Sequence, residues 1–210
     1  MINNAVLVIG NGESRKNINL QHLIGKIVTV GCNAVHRDTI VDHLVCADHR
    51  MINEAVTNVN TKETLIYVRK EWYHTFKKLM KHKNIRIMPD IPYVSHSRVD
   101  DPRNWGSGTY AHLVAANLET PLIYILGFDL YGRNRLVNNV YRDTQNYSHS
   151  QSHAIDPSYW IYQSAKVFQL FPNKKFIIVN NSSWQIPKSW ILPNVEFLDI
   201  EKFIEMLLIK

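Results

Sequence analysis

Residues 5–15 read Ala5-Val6-Leu7-Val8-Ile9-Gly10-Asn11-Gly12-Glu13-Ser14-Arg15, an unbroken apolar run that ends in a glycine-rich turn. The run predicts a first buried strand, and Gly10 and Gly12 predict a turn at its C-terminal end that opens toward a helix. Such a turn suits phosphate. Glycines let a backbone approach a ligand closely, and free N–H groups at a helix start, with its positive dipole end, attract anions. The pattern is not the full dinucleotide fingerprint, because Arg15 stands where the third glycine would fall, and no Gly-Lys-Ser/Thr follows to make a P-loop. Nucleotide binding and an ordinary strand-to-helix turn are both compatible with the glycines alone.

Working outward, 210 residues with 45% hydrophobic and 20% charged side chains fit one soluble domain, residues 1–210, that can bury a core without disulfides. Cys32 and Cys46 lie inside apolar runs and read as buried free thiols. The start of the chain lacks a basic segment before its apolar run, and no stretch approaches the ~20 apolar residues of a membrane span, so a cytoplasmic location is expected. A net charge of +6 favours anions. Lys77, Lys78, Lys81 and Lys83 read as a solvated helix face, and without interleaved aromatic and basic residues no nucleic-acid partner is expected.

Further strands are expected at Lys26–Val30, His43–Ala47, Thr64–Val68, Ile85–Met88, Leu122–Leu126, Phe176–Val179 and Val195–Leu198. Helices are expected at Met51–Val56, Glu71–Lys81, Tyr110–Leu118, Ser158–Phe171 and from Glu201, with a short amphipathic stretch reaching Leu23. Their alternation predicts an α/β, Rossmann-like, mostly parallel sheet covered by helices on both faces, with polar tips such as Asn33, Asp48 and Asp129 at the ligand-binding ends of the strands. Asp90–Trp105 has no period and reads as a long surface loop with a functional role. The segment at about 132–156, dense in Asn, Tyr, Ser and His, reads as a mobile lid or a disordered excursion that contributes little to the core.

Gly10-Asn11-Gly12-x-Ser14, Cys32-Asn33, Gly106-Ser107-Gly108 and Ile123-Tyr124-x-x-Gly127-x-Asp129-x-Tyr131, in this order over roughly residues 5–180, resemble the bacterial lipooligosaccharide sialyltransferases. That resemblance implies a single-domain, GT-A-variant fold and metal-independent transfer of a sugar from a CMP-activated donor to a glycan or other hydroxyl acceptor. It implies no cofactor, peripheral membrane contact where the acceptor is lipid-linked, and room for a homo-oligomer. Carried over, Gly10, Asn11, Gly12 and Ser14 would meet the nucleotide phosphate and sugar, Asn33 the donor, and Ser107 and Gly108 the cytidine or the donor carboxylate. Asp48 occupies the region of a donor-contacting asparagine, and Asp129 closes its strand with a structural or catalytic role. Tyr131, with Tyr147 or Tyr141, would hydrogen-bond the departing phosphate. The general base would be His153, with His149 as the alternative.

The chemistry is coherent, since a histidine suits deprotonation of an attacking hydroxyl at neutral pH and phenols and N–H groups can stabilise a leaving phosphate. No Asp-x-Asp of the metal-dependent sugar transferases is present. Glu13 departs from the family's proline and puts an acid beside the phosphate site, and the chain is shorter than is usual for the family. A pterin pyrophosphokinase-like phosphotransferase, which shares the Gly-Asn-Gly turn and the strand-Gly-x-Asp ending and would need Mg²⁺, is the second reading. A nucleotide-binding protein without turnover is the third.

Overall fold

The computed structural model describes residues 4–80 and 84–208. Eight strands form one sheet in which every neighbouring pair is parallel: β1 (Ala5–Ile9), β2 (Val28–Cys32), β3 (His43–Cys46), β4 (Leu65–Val68), β5 (Ile85–Ile87), β6 (Leu122–Leu126), β7 (Lys175–Asn180) and β8 (Val195–Asp199). Their order is β5-β4-β3-β2-β1-β6-β7-β8. The helices are α1 (His49–Thr57), α2 (Lys70–Met80), α3 (Ser107–Asn117), α4 (Ser158–Leu170) and α5 (Ile200–Leu208). The expected α/β class with a parallel sheet is therefore the observed one.

β1 is at the centre, and its alternation distributes the core. Ala5, Leu7 and Ile9 point to one face and pack with Met51, Ile52 and Ala55 of α1, Phe76 of α2 and Phe203 of α5. Val6 and Val8 point to the other and pack with Leu113 and Val114 of α3 and Val167 and Phe168 of α4. All five β1 residues are buried, as a strand covered on both faces requires. The small residues Ala111, Ala115 and Ala116 let α3 lie close on the sheet. Both cysteines are free and buried.

Three expectations are corrected. After the glycine turn no α-helix forms: Glu13–Arg15 and Leu20–Leu23 are short 3-10 turns, because the side chains at 14 and 15 bond to distant partners described below. Asp90–Trp105 is not without regular structure: it is organised by two 3-10 turns, Arg98–Asp100 and Pro102–Asn104, and is packed at its end, where Trp105 is fully buried and Gln163 of α4 donates to Val99 O at 2.7 Å and Asn104 O at 3.2 Å. The 132–156 segment does enter the core: Tyr141 is buried among the residues around β1. Of the lysine cluster, Lys77 and Lys78 are exposed on α2, and Lys81 and Lys83 lie outside the described residues.

His112 of α3 is fully buried against α4, with Nδ1 3.0 Å from Ser164 Oγ and the ring against Phe128 and Phe168. Burial pushes its pKa down to about 3 from 6.5, so the folded protein holds it neutral while the unfolded chain protonates it. Its contribution to stability is thus complete above pH 6.5 and is lost as pH falls toward 3. Urea denaturation at stepped pH is expected to show the slope between pH 6.5 and 5 shallower in His112→Leu than in the parent, by up to about 1.4 kcal/mol per pH unit, the weight of one proton. An unchanged slope would show that His112 is not buried neutral.

Candidate functional site

β1 and β6 are neighbours in register, Ile9 beside Leu126, yet the chain leaves β1 toward β2 and leaves β6 toward β7 on the opposite side. This reversal opens a crevice beyond the C-terminal ends of the two strands, the usual ligand position in open parallel sheets. A cleft of about 380 Å³ lies there. Its walls include ten of the sequence-predicted site residues: Gly10, Asn11, Gly12, Asn33, Asp48, Ser107, Gly108, Asp129, Tyr131 and Tyr147. Ser14 and His153 are outside its lining.

The glycine turn forms the floor, and its glycines are demanded by the protein itself. The Gly10 N–H donates to Leu126 O at 2.8 Å and the Gly12 N–H to Gly127 O at 2.7 Å, which carries the β1-β6 ladder past the strand ends. A Cβ on Gly10 would sit 2.4 Å from Gly127 O, and one on Gly12 2.4 Å from the Asp129 carboxyl carbon. Asp129, nearly buried, takes the Ser14 backbone N–H at 2.9 Å and the Ser14 hydroxyl at 2.5 Å on its two carboxylate oxygens. The Glu13 N–H goes to Asn138 Oδ1 at 2.9 Å. The turn's N–H groups at 10, 12, 13 and 14 are therefore committed, and Ser14 is turned to Asp129 rather than into the cleft. The anion site that the glycines suggest is not built from these donors.

Free donors lie opposite. The first three N–H groups of a helix have no partner within it, and at the start of α3 the Gly106 cap supplies no side chain, so those of Ser107, Gly108 and Thr109, residues that line the cleft, are uncapped. The Ser107 hydroxyl accepts the Ala47 N–H at 2.8 Å, which ties this start to the end of β3. Gly108 lies against Phe128, where a Cβ would stand 2.9 Å from the ring.

Acceptors come from two asparagines. Asn33, with φ of 51°, follows β2 in the left-handed conformation that asparagine tolerates. Asn11 donates through Nδ2 to Tyr147 Oη at 3.0 Å. The side-chain oxygens of both, Asn11 Oδ1 and Asn33 Oδ1, are buried with no hydrogen-bond donor among the described residues. Buried polar atoms are rarely left so, and the exceptions cluster where a ligand completes them. The Tyr147 hydroxyl also accepts the Ala34 N–H at 3.3 Å, leaving its own proton for an incoming group. Burial raises the Tyr147 and Tyr131 pKa values, so both stay phenols and act as hydrogen-bond donors.

The 132–156 segment closes the cleft through several tethers. Val140 N–H donates to Asn11 O at 2.8 Å. Arg37, held in a fork on Glu54, reaches Thr144 Oγ1 at 2.7 Å and Gln145 O at 2.9 Å. Tyr141 points away from the cleft, donating to Asp38 at 2.5 Å and accepting from Arg15 at 2.7 Å. His153 is exposed at the mouth, beside Ala154 and Ile155, which do line the cleft. His149 is exposed too, with Nδ1 3.0 Å from Asp143.

Glu13 is paired rather than loose: Arg142, a cleft residue, bonds it directly, and Arg133 stands 3.9 Å away. The acid therefore leaves no net repulsion at the floor. Arg15, read from the sequence only as a missing glycine, proves central, because its buried guanidinium donates to Gly10 O at 2.6 Å and to Asp38 at 2.9 Å as well as to Tyr141. Arg142 and Asn138 also escaped sequence reading, having no motif to mark them. No group of three or more potential metal-ligating side chains is present among the described residues, and no described helix is long and apolar enough to cross a membrane.

No protein-family model and no curated protein sequence matches this chain. Among solved structures it is similar to the monofunctional alpha-2,3-sialyltransferase Cst-I from Campylobacter jejuni, at 14% identity and TM-score 0.61, covering 86% of this chain and 77% of that one. It is also similar to the sialyltransferase CstII from Campylobacter jejuni in complex with a substrate analogue, cytidine-5'-monophosphate, at 16% identity and TM-score 0.58, covering 92% of this chain and 84% of that one. At such identity the likeness establishes the fold.

Replacing Arg15 by Met removes three hydrogen bonds and leaves the half-buried Asp38 carboxylate with the Tyr141 hydroxyl as its donor. Urea denaturation is expected to show a loss of about 3 kcal/mol, with Arg15→Lys recovering only part because an ammonium cannot reproduce the planar fork. A loss below 1 kcal/mol would show that Arg15 does not hold the turn.

Proposed function

We propose that this chain is a sialyltransferase-like glycosyltransferase, which moves a sugar from a CMP-activated donor to a hydroxyl acceptor without a metal ion or a resident cofactor. The observation that carries the proposal is the pair of unpartnered oxygens, Asn11 Oδ1 and Asn33 Oδ1, sharing a cleft with the unpaired N–H groups of α3. Such a cleft takes a ligand with hydroxyl or amino donors at one end and an anion at the other, as a nucleoside monophosphate is. The fold likeness to two sialyltransferases supports the same reading.

In the reaction, the acceptor oxygen forms a bond to the anomeric carbon of the donor sugar while the bond from that carbon to the phosphate oxygen breaks. The electron pair leaves with CMP, and the hydroxyl proton passes to His153 at the mouth. The N–H groups of Ser107, Gly108 and Thr109 and the phenols of Tyr147 and Tyr131 would carry the charge that grows on the phosphate, the work a cation does in other transferases. Asp129 would serve by fixing the floor, and Asp48, exposed on the rim, would meet the donor sugar. In this reading residues 1–210 act as one nucleotide-binding domain, with 132–156 as its lid.

Calorimetric titration with CMP, with and without Mg²⁺, tests the binding half. CMP is expected to bind without Mg²⁺, and Asn11→Ala and Asn33→Ala each to weaken it by roughly tenfold or more, the weight of a hydrogen bond to a buried group. Assays with CMP-linked sugars test the other half, where His153→Ala is expected to lower kcat by roughly 10² to 10⁴ at unchanged CMP affinity. Binding of ATP only with Mg²⁺, and none of CMP, would replace this reading with pyrophosphate transfer. CMP binding without turnover of any CMP-sugar would leave a nucleotide-binding protein.

A further inference from the structure

Beside the cleft lies a second hollow, of about 490 Å³, lined by Arg133, Asn134, Leu136, Val137, Arg142, Ser150 and Gln151. Val137 and Arg142 line both, so the two spaces share a wall. Five of its seven lining residues carry hydrogen-bonding side chains, two of them guanidinium groups. We propose that this hollow is the acceptor subsite and that it selects an acceptor bearing an anionic group, a carboxylate or a phosphate, next to the hydroxyl that reacts.

The charges favour an anion. Glu13 is the carboxylate shared by the two arginines: it bonds Arg142 directly and stands 3.9 Å from Arg133. Two cations thus face one anion among the lining groups and Glu13, and Arg133, with its side chain 77% exposed and no other side-chain partner among the described residues, keeps donors available for a second. The neighbouring Asp143 is not among the residues that line the hollow, and its Oδ1 faces the Ser150 N–H at 2.9 Å and His149 Nδ1 at 3.0 Å. Guanidinium forks match carboxylate and phosphate geometry, which a neutral sugar does not exploit.

The position favours an acceptor over the donor. Leu136, in the hollow's wall, is bridged antiparallel to His153, and the next two residues, Ala154 and Ile155, line the cleft. The chain at His153 therefore runs between the two spaces. A ligand in the hollow would hold its hydroxyl near both the proposed base and the donor. That assignment as acceptor site rests on the glycosyltransferase reading; the binding of an anion does not.

The test titrates the protein with three sugars of one ring type, glucose, glucuronic acid and glucose 6-phosphate, followed by NMR line broadening, first without nucleotide and then with saturating CMP. Glucuronic acid or glucose 6-phosphate is expected to bind several-fold more tightly than glucose, the tighter of the two naming the source of the anion, with the preference fading as salt is raised. Arg133→Glu is expected to remove the preference while CMP affinity stays within twofold, and Arg133→Lys to keep part of it. Equal binding of all three sugars, or a preference that survives Arg133→Glu, would overturn the proposal. If CMP fails to bind, the donor reading falls while the nucleotide-free titration still decides whether the hollow selects anions. If saturating CMP abolishes the anion preference, the anion lies in the cleft and the proposal is wrong.

Discussion

The site depends on the close approach of two backbone turns, Gly10 after β1 and Gly127 after β6. Neither glycine could carry a side chain there: a Cβ on Gly127, whose φ is +75°, would stand 2.9 Å from Gly10 O, and one on Gly10 is nearer still to Gly127 O. Two charged groups bind this approach from either side. Arg15 donates to the Gly10 carbonyl from beneath, and Asp129 accepts from Ser14 across the turn. With a net gain of about 1.5–3 kcal/mol for a hydrogen bond to a charged group, these bonds offset much of the chain entropy of a tight turn, about 1–2 kcal/mol per residue.

One consequence is a division of labour within the cleft. Because the turn spends its N–H groups at 10, 12, 13 and 14 on Asp129, Asn138 and the β6 end, it offers few of them to an anion, and the helix-start N–H groups lie on α3 across the gap. What the turn supplies instead is the Asn11 side chain, whose Nδ2 is fixed on Tyr147 so that Oδ1 has a set direction. Donors on one wall and acceptors on the floor give the cleft polarity at little net charge. The arginine at its edge is already balanced by Glu13, so an occupant is recognised by hydrogen-bond pattern more than by charge.

This arrangement explains what could and could not be read from the chain. β1 and β6 were legible because strands buried on both faces must be apolar throughout, and Val6 through Ile9 and Ile123 through Leu126 are. Ten of the twelve expected site residues meet in one cleft because strand ends, glycines and helix starts are local signals that the parallel topology gathers. Ser14 failed as a cleft residue because its hydroxyl was captured by Asp129, 115 positions away. Tyr141 sat in a stretch too polar to read as core, yet its ring is buried where Arg15 and Asp38 satisfy the hydroxyl. Arg15 itself carried no pattern, since a buried arginine is explained only by partners that the fold brings to it.

The same tethers bear on what can enter. Arg15 holds Tyr141, Arg37 holds Thr144 and Gln145, and Asn11 holds both Val140 and Tyr147, so the segment over the cleft is fixed to the turns after β1 and β2 at five places. A ligand that needed any of these groups would have to compete with a bond already made. Asn11 Oδ1, Asn33 Oδ1, the Tyr147 proton and the α3 N–H groups are the ones left over, and using them breaks none of the five. A cavity of about 380 Å³ falls within the range that encloses small ligands. Asn11 Oδ1 and Asn33 Oδ1 are themselves buried, so an occupant reaches them only as the side chains over them shift, while the tethers that hold the segment can stay in place.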